Sequence, residues 1–279
     1  MLTLASPAKI NLFLQILGRR PDGYHELASL FQAVSLFDIL HFALADTDKL
    51  ECSDPQLPTG PENLIWKAVS LFRSKTGLTF GLHVKLEKNI PIEAGLGGGS
   101  SNAATALWAV NQLLGNPASN EQLMEWAGEI GSDVPFFFSS GTAYCTGRGE
   151  IVQSLQPLPS QTIWIVKPKW NLSTPKVYQK VNPEYLRKED PREHLQEFLL
   201  GYSSYFNDLE RPAFEVMPQL DLFKEELKEE GFKHVMLSGS GSAFICIGGG
   251  VRPPRFLGSF QYRAHYVNRS LDSWYSLIE

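Results

Sequence analysis

Residues Gly95 to Gly99 read Gly-Leu-Gly-Gly-Gly and stand directly before an Ala-rich stretch with helical spacing. Glycine loses much backbone entropy when a loop becomes ordered, so such a run calls for a compensating interaction. Main-chain N–H groups at a helix start bind anions, and glycines there let phosphate oxygens approach without Cβ clashes. The run therefore predicts a phosphate-binding loop, with a flexible turn before an ordinary helix as the alternative.

The residues after the glycine run narrow the class of phosphate site. We expect Ser100 and Ser101 to cap the helix or to turn their hydroxyls toward phosphate or magnesium. The P-loop pattern requires Gly-Lys-Ser/Thr, and the Rossmann pattern requires a third glycine where Ser100 stands. The His-Arg-Asp and Asp-Phe-Gly motifs of protein kinases are also missing from the sequence. The loop therefore belongs to another class of phosphate site.

A second pair of polar residues lies close to the N-terminus. Apolar and polar residues alternate from Lys9 to Leu17, which predicts a β-strand. One face would carry Ile10, Leu12, Leu14 and Ile16, and the other Lys9, Asn11, Phe13 and Gln15. Lys9 and Asn11 are then neighbours, either in a site or on the solvated face of an edge strand.

Further elements position these residues. Leu82, Val84 and Leu86 predict a strand that leads to the glycine loop, and helices are predicted at Asn63–Thr76, Ser100–Leu114 and Asn120–Ile130. Beyond the linker-like Pro157 and Pro159, two helical patterns and three apolar strands alternate: 192–200, 220–230, 234–237, 243–247 and 262–267. This order predicts an α+β protein with two domains, 1–157 and 158–279.

Composition excludes several function classes. The chain has 279 residues, 43% of them hydrophobic, which is enough for a sizeable core. Its net charge of −5 argues against nucleic-acid binding, and its three isolated cysteines and six histidines indicate neither disulfides nor a metal site. No apolar run is long enough to cross a membrane, and the first residues do not resemble a targeting peptide. We therefore expect a cytoplasmic protein.

Three separated blocks resemble the GHMP-type small-molecule kinases. They are SPAKINLFLQILGRRPDGYHEL from Ser6, PIEAGLGGGSSNAATAL from Pro91 and MLSGSGSAFICI from Met236. The first block, with GSDVPFFF and NDLERPAFEVMPQL, is most similar to the family that phosphorylates 4-diphosphocytidyl-2-C-methyl-D-erythritol. The resemblance implies a two-domain GHMP kinase fold. Its N-terminal domain would be ribosomal-protein-S5-domain-2-like and its C-terminal domain a ferredoxin-like α+β layer.

The resemblance also implies a reaction and its residues. ATP would phosphorylate the 2-hydroxyl of the methylerythritol moiety, a step of the non-mevalonate isoprenoid pathway. Lys9 and Asp133 match the catalytic lysine and aspartate of the family. Magnesium would arrive with ATP, without protein ligands that can be assigned. The residues expected to bind ATP are Asn63, Leu64, Lys88, Pro91, Ile92, Glu93, Ala94, Gly95, Leu96, Gly97, Gly98, Gly99, Ser100 and Ser101.

The expected substrate site comes from the same resemblance. Tyr24 and Tyr178 would sandwich the cytosine, His25 would hydrogen-bond its edge, and Asn11 would hold the acceptor. Helix-surface packing is the alternative for Tyr178. Gly239, Ser240 and Gly241 would restrain the substrate or the phosphate loop, or form only a tight turn. Glu93 departs from the small residues that are usual in the loop. A carboxylate there would repel phosphate unless it points away from the phosphates or toward a magnesium ion.

Two other functions remain open at this stage. A different GHMP kinase would act on homoserine, mevalonate or a sugar, but such small acceptors do not need the aromatic Tyr24-His25 turn. A GHMP-fold sensor would bind ATP without transfer, which the intact Lys9 and Asp133 argue against. The expected partner is a small molecule with a cytidine diphosphate group. We expect no nucleic acid and no membrane as partners, and a monomer or a weak dimer.

Overall fold

The computed structural model describes residues 1–202, 204–249 and 258–275. Among these residues, seven strands form a first sheet. They are β1 (Leu2–Arg19), β2 (His25–Ala45), β3 (Lys49–Cys52), β4 (Gly81–Glu87), β5 (Thr142–Gly147), β6 (Ile151–Ser154) and β8 (Phe206–Asn207). Their order in the sheet is β3-β4-β2-β1-β8, and β5 pairs with β2 and with β6.

A second sheet is built from the C-terminal part of the chain. Its four described strands are antiparallel, in the order β11-β7-β10-β9. They are β7 (Thr162–Lys167), β9 (His234–Leu237), β10 (Phe244–Ile247) and β11 (Phe260–His265). If these strands are numbered 1 to 4 along the chain, their order in the sheet is 4-1-3-2. Helices lie between strands 1 and 2 along the chain.

Seven α-helices occur in the described residues. They are α1 (Leu64–Thr76), α2 (Gly98–Leu113), α3 (Asn120–Ile130), α4 (Thr174–Gln179), α5 (Pro191–Leu199), α6 (Glu210–Val216) and α7 (Gln219–Glu229). Short 3₁₀ helices occupy Pro135–Phe138 and Pro183–Tyr185. All four residues of the first of these are buried.

Hydrophobic cores cover both faces of β1. Leu4 and Ala5 pack with apolar residues of α1, α2 and α3. Ile10 and Leu12 instead pack with Ile165 and Ile245 of the second sheet. A strand between two layers is buried along its whole central length, so β1 carries buried residues from Leu4 to Ile16. The solvated edge strand, the alternative for Lys9 and Asn11, is therefore wrong.

The strict alternation predicted for β1 does not hold throughout. The register against β2 shifts between Asn11 and Phe13, which is the signature of a β-bulge. Because the bulge changes the side-chain period, Phe13 joins the same core cluster as Ile10 and Leu12. The prediction that Phe13 shares a face with Lys9 and Asn11 is wrong for this reason. Lys9 and Asn11 precede the shift and remain neighbours.

The predicted and observed ends of the helices agree best where a capping residue fixes the end. Asn63 caps α1 through its side chain, Gly77 ends it in the left-handed conformation, and Ser119 forms a capping box for α3. The predicted start of α2 at Ser100 is wrong, because the helix begins at Gly98. The short elements β3, β6, β8 and α6 were not predicted, because they are too short for a clear periodicity.

The two halves of the chain share elements in space. β8 pairs with Phe13 and Leu14 at the edge of the first sheet. Val267, Trp274 and Tyr275 pack into the first core, although they lie near the C-terminus. The division into 1–157 and 158–279 stays a prediction. In the described part of the chain, no helix has both the length and the apolar character needed to cross a membrane.

Candidate active site

A cavity of about 380 Å³ opens at the N-terminus of α2. Its walls contain Pro91 to Ser100 together with Asn63, Leu64 and Lys88, so ten of the eleven predicted loop residues and all three flanking residues meet there. The first N–H groups of a helix have no carbonyl one turn earlier to which they could donate a hydrogen bond. The cavity therefore offers main-chain donors and the positive end of a helix dipole to an anion.

Glycine at position 97 is required by the approach of Lys9. Gly97 has a φ of 68°, and a Cβ added there would lie 2.8 Å from Cγ of Lys9. The main chains also meet, since the N–H of Lys9 donates to the carbonyl of Leu96 at 2.9 Å. A side chain at Gly98 would meet Lys88 on the other side, with Nζ 3.2 Å from the added Cβ. Two buried lysines thus flank the glycine run.

Ser101 does not reach this cavity. α2 begins at Gly98 with Gly97 as its N-cap residue and no side-chain cap, so both serines lie inside the first turn. Ser101 falls on the core face of the helix, and its hydroxyl accepts a hydrogen bond from Ser6 at 2.7 Å. The prediction that both serines cap the helix or face phosphate is wrong for Ser101. Ser100 lines the cavity.

A buried ion pair holds the segment that leads into the loop. Nζ of Lys88 lies 2.8 Å from Oδ2 of Asp38 and also donates to the carbonyl of Ile90. Oδ1 of Asp38 accepts the N–H groups of Asn89 at 2.7 Å and Ile90 at 2.8 Å. Both oxygens of the fully buried Asp38 are therefore used to fix the chain before Pro91.

Asp38→Ala is expected to lower the free energy of unfolding by about 3–5 kcal/mol, because Lys88 would stay buried without a counter-ion. Guanidinium chloride unfolding measures this loss. In Asp38→Ala/Lys88→Met the unpaired charge is gone, so part of the stability should return while the two N–H groups stay unpaired. A double variant that loses the sum of both single losses would show that the pair is not coupled.

A second cavity, of about 800 Å³, lies on the opposite side of the glycine run and shares Gly95 and Gly97 with the first. Nζ of Lys9 lies in it, 3.3 Å from Oδ2 of Asp133 and 3.2 Å from Oδ1 of Asn11. Nδ2 of Asn11 donates to the hydroxyl of Ser29 at 2.8 Å, which fixes the amide so that its oxygen faces the lysine. Lys9, Asn11 and Asp133 thus form one polar cluster.

The predicted base-binding residues line the same cavity. The rings of His25 and Tyr178 lie 5.3 Å apart, and Tyr24 is 57% exposed. Burial lowers the pKa of His25 and the charge of Arg19 lowers it further, so both effects favour the neutral ring. Burial also raises the pKa of the Tyr178 phenol, and the negative charge of Asp133 adds to this effect. Tyr178 is half-buried: it lines this cavity and also packs against the apolar core beside the second sheet, so helix-surface packing stays open as the alternative for it.

The second glycine-serine turn packs against the glycine run Gly95 to Gly99. Gly239 and Ser240 line the larger cavity, whereas Gly241 is not among its lining residues. A Cβ at Gly95 would lie 2.0 Å from the carbonyl oxygen of Ser238, so only glycine permits this contact. The N–H of Ala243 donates to the carbonyl of Ala94 at 3.2 Å. The loop is thus held between the two sheets.

Glu93 lies in the left-handed region of backbone conformation. It adopts a φ of 51°, and its carbonyl accepts the N–H of Ser242 at 3.3 Å. Burial lowers the pKa of Lys167, and the negative charge of Glu93 acts in the opposite direction. The ammonium of Lys167 donates to the carbonyls of Pro168 and Trp170 and to Oδ1 of Asn171 rather than to the Glu93 carboxylate. The repulsion between this carboxylate and phosphate stays a prediction.

Two arginines of the larger cavity, Arg19 and Arg148, were not predicted as site residues. Arg19 lies in the first quoted block, close to Tyr24-His25, whereas Arg148 lies outside every quoted block, so only Arg19 had a signal in the sequence. Within residues 1–202, 204–249 and 258–275, no group of three or more His, Cys, Asp and Glu side chains could hold a metal ion.

Comparison with known proteins gives one consistent family. Residues 63–141 match the GHMP kinases N terminal domain. A 4-diphosphocytidyl-2-C-methyl-D-erythritol kinase of Protochlamydia amoebophila (strain UWE25) is 54% identical, covering 99% of this chain and 93% of the relative. The chloroplastic enzyme of that name from Oryza sativa subsp. japonica is 45% identical, covering 98% of this chain and 73% of the relative.

A solved structure agrees with these relatives. The crystal structure of 4-(cytidine 5'-diphospho)-2C-methyl-D-erythritol kinase superposes with a TM-score of 0.80 and 34% identity, covering 96% of this chain and all of the other. The α+β architecture of two packed layers is therefore the GHMP kinase fold, and the chain is an ATP-using kinase of that fold. With this identity over nearly its whole length, the chain belongs to the 4-diphosphocytidyl-2-C-methyl-D-erythritol kinase family.

Proposed function

We propose that this chain transfers the γ-phosphoryl group of ATP to the 2-hydroxyl of 4-diphosphocytidyl-2-C-methyl-D-erythritol. The observation that carries the proposal is the glycine run between two cavities. One cavity offers helix N-terminal donors to phosphates, and the other holds the Lys9–Asp133 pair. Because both cavities share Gly95 and Gly97, a phosphoryl donor and an acceptor can meet at the loop.

Positioning and charge stabilisation carry most of phosphoryl transfer. Asp133 would orient the acceptor hydroxyl and take its proton as the new P–O bond forms. Nζ of Lys9, which is 3.3 Å from Asp133, would hold this carboxylate in place and stabilise negative charge on the attacking oxygen. Asn11 would keep Lys9 and the acceptor in their relative positions, since its amide oxygen lies 3.2 Å from Nζ of Lys9.

The nucleobase would be recognised at the aromatic end of the larger cavity. Tyr24 and Tyr178 would stack on cytosine, for which stacking contributes about 1–3 kcal/mol per base by analogy with single-strand binding. A neutral His25 presents one N–H donor and one acceptor nitrogen. That combination suits the cytosine edge, which also carries both donors and acceptors.

ATP would occupy the smaller cavity. Asn63, Leu64 and Lys88 would border the nucleotide, and Pro91 to Ser100 would surround the phosphates, as their common location in that cavity supports. We further propose that ATP arrives as its magnesium complex, in which the ion neutralises phosphate charge. The cytoplasmic location stays a prediction.

The test measures ADP release from MgATP with diphosphocytidyl-methylerythritol, homoserine and mevalonate in parallel. We expect turnover with the cytidyl acceptor alone. Turnover with homoserine or mevalonate instead would retain the kinase but contradict the roles of Tyr24 and His25. Saturable ATP binding without any turnover would contradict phosphoryl transfer and favour the sensor.

A further inference from the structure

Arg148 lies in the larger cavity without a part in the mechanism above. Its guanidinium carbon is 5.0 Å from the ring centroid of Tyr24. The next residue in the chain, Gly149, approaches the other end of the site, since a Cβ there would lie 3.4 Å from Oδ1 of Asp133. The turn between β5 and β6 therefore connects the candidate base-stacking residue with the candidate catalytic carboxylate.

The other positive charges of this cavity have different positions. Among its described lining residues, Lys9, Arg19 and Arg148 carry a permanent positive charge. Lys9 is engaged with Asp133 and Asn11. Arg19 is exposed and pairs in register with His25 at the end of β1. Arg148 is thus the cation placed between the aromatic end and the Lys9–Asp133 pair.

The hydrogen-bonding capacity of Arg148 is only partly used. Nε donates to Oε1 of Glu150 at 3.3 Å, and the main-chain N–H of Arg148 donates to Oε2 of the same residue at 2.5 Å. Within the described part of the chain, no hydrogen bond is recorded from its two Nη groups. A guanidinium has five N–H donors in a fork that matches phosphate oxygens, so this side chain has donors left for an anion.

We propose that Arg148 binds the diphosphate that links cytidine to the acceptor moiety, an inference that rests on the proposed function. In such a substrate the diphosphate lies between the base and the hydroxyl to be phosphorylated. Arg148 occupies the corresponding position between Tyr24 and Asp133. Glu150 holds the stem of the side chain, and the Nη groups donate to the phosphate oxygens. The proposal assigns substrate recognition to this residue and no part in the chemical step.

The test compares cytidine with CDP by isothermal titration calorimetry, using the full chain and its Arg148→Met variant. The ratio of the two dissociation constants measures what the diphosphate adds to binding. We expect Arg148→Met to reduce this ratio by about 10- to 100-fold, the usual effect of a hydrogen bond to a charged group. Cytidine affinity should stay within about twofold, because the stacking faces remain.

Two further variants make the result specific. Arg148→Lys keeps the charge and loses the fork, so it should fall between the wild type and Arg148→Met; it also serves if the methionine variant does not fold. Arg19→Met removes one positive charge from the same cavity. If Arg19→Met reduced the ratio of the two dissociation constants as much as Arg148→Met does, the proposal would be overturned. The effect would then come from the total positive charge of the cavity and not from Arg148 itself.

Other outcomes also decide the matter. Equal weakening of cytidine and CDP by Arg148→Met would mean that Arg148 acts by holding Tyr24, and unchanged binding of both would leave it without a role. Either result overturns the proposal while the proposed function stands. If CDP does not bind the wild type, the base site of the proposed function fails as well, and the acceptor assay then shows whether kinase activity remains.

Discussion

Asp133→Asn is expected to lower kcat by about 10²- to 10⁴-fold, the usual contribution of a positioned general base. Asparagine keeps the shape of the side chain and removes the negative charge that would take the hydroxyl proton. It also removes the counter-ion of Lys9, whose Nζ lies 3.3 Å away. ATP binding should change little, because Asp133 lies in the cavity on the other side of the glycine run. Steady-state kinetics and ATP titration measure the two effects separately.

The Lys9–Asp133 pair should behave as one unit. Lys9→Met is expected to cost a similar factor in kcat, and the double variant little more than either single variant. Asp46→Asn, a change of the same type at an exposed loop position, serves as the control and should keep full activity. Additive losses in the double variant would contradict a joint role, and a kcat of Asp133→Asn within threefold of wild type would remove Asp133 from the mechanism.

Gly95→Ala is expected to destabilise the protein more than any other single methyl group added to the loop. Gly95 has a φ of 72°, where a residue other than glycine costs about 1–2 kcal/mol. The added Cβ would also lie 2.0 Å from the carbonyl oxygen of Ser238, which is main chain and not free to move aside. Overpacking of this kind costs about 1–3 kcal/mol more.

Gly77→Ala is the matched control for this prediction. Gly77 has a φ of 71° at the end of α1, and an added Cβ would have no neighbour within 4 Å. It should therefore show the backbone cost alone and leave ATP affinity unchanged. Guanidinium chloride unfolding and ATP titration compare the two variants. Equal losses of stability would show that contact between the loop and the Ser238 turn has no energetic role.

Much of the smaller cavity was predictable from the sequence, because its residues are contiguous. Gly95 to Gly99 precede a helix, and local glycine conformations create the site. The neighbouring positions of Lys9 and Asn11 were also predictable, since two residues separated by one lie on the same face of a strand. In each case the deciding interaction lies within a few residues along the chain.

Tertiary structure decided the rest. Whether the Ser101 side chain faces the core or the cavity depended on which face of α2 packs against Ser6, 95 residues away in the chain. The position of Phe13 depended on a bulge against β2. The Asp38–Lys88 pair and the approach of Arg148 to Tyr24 join residues from different strands and turns. No local pattern encodes such contacts, because their geometry is fixed only when the sheets and helices pack.

The sequence by itself predicted a phosphate-binding loop and determined that a polar pair lies on the first strand and that helices and strands alternate. Only the tertiary structure brought Lys9 to Asp133, 124 residues apart along the chain, at 3.3 Å. It also decided that the glycine run stands between two cavities that share Gly95 and Gly97. The physical reason is that local backbone preferences shape a loop, whereas burial of apolar surface between layers determines which distant side chains meet.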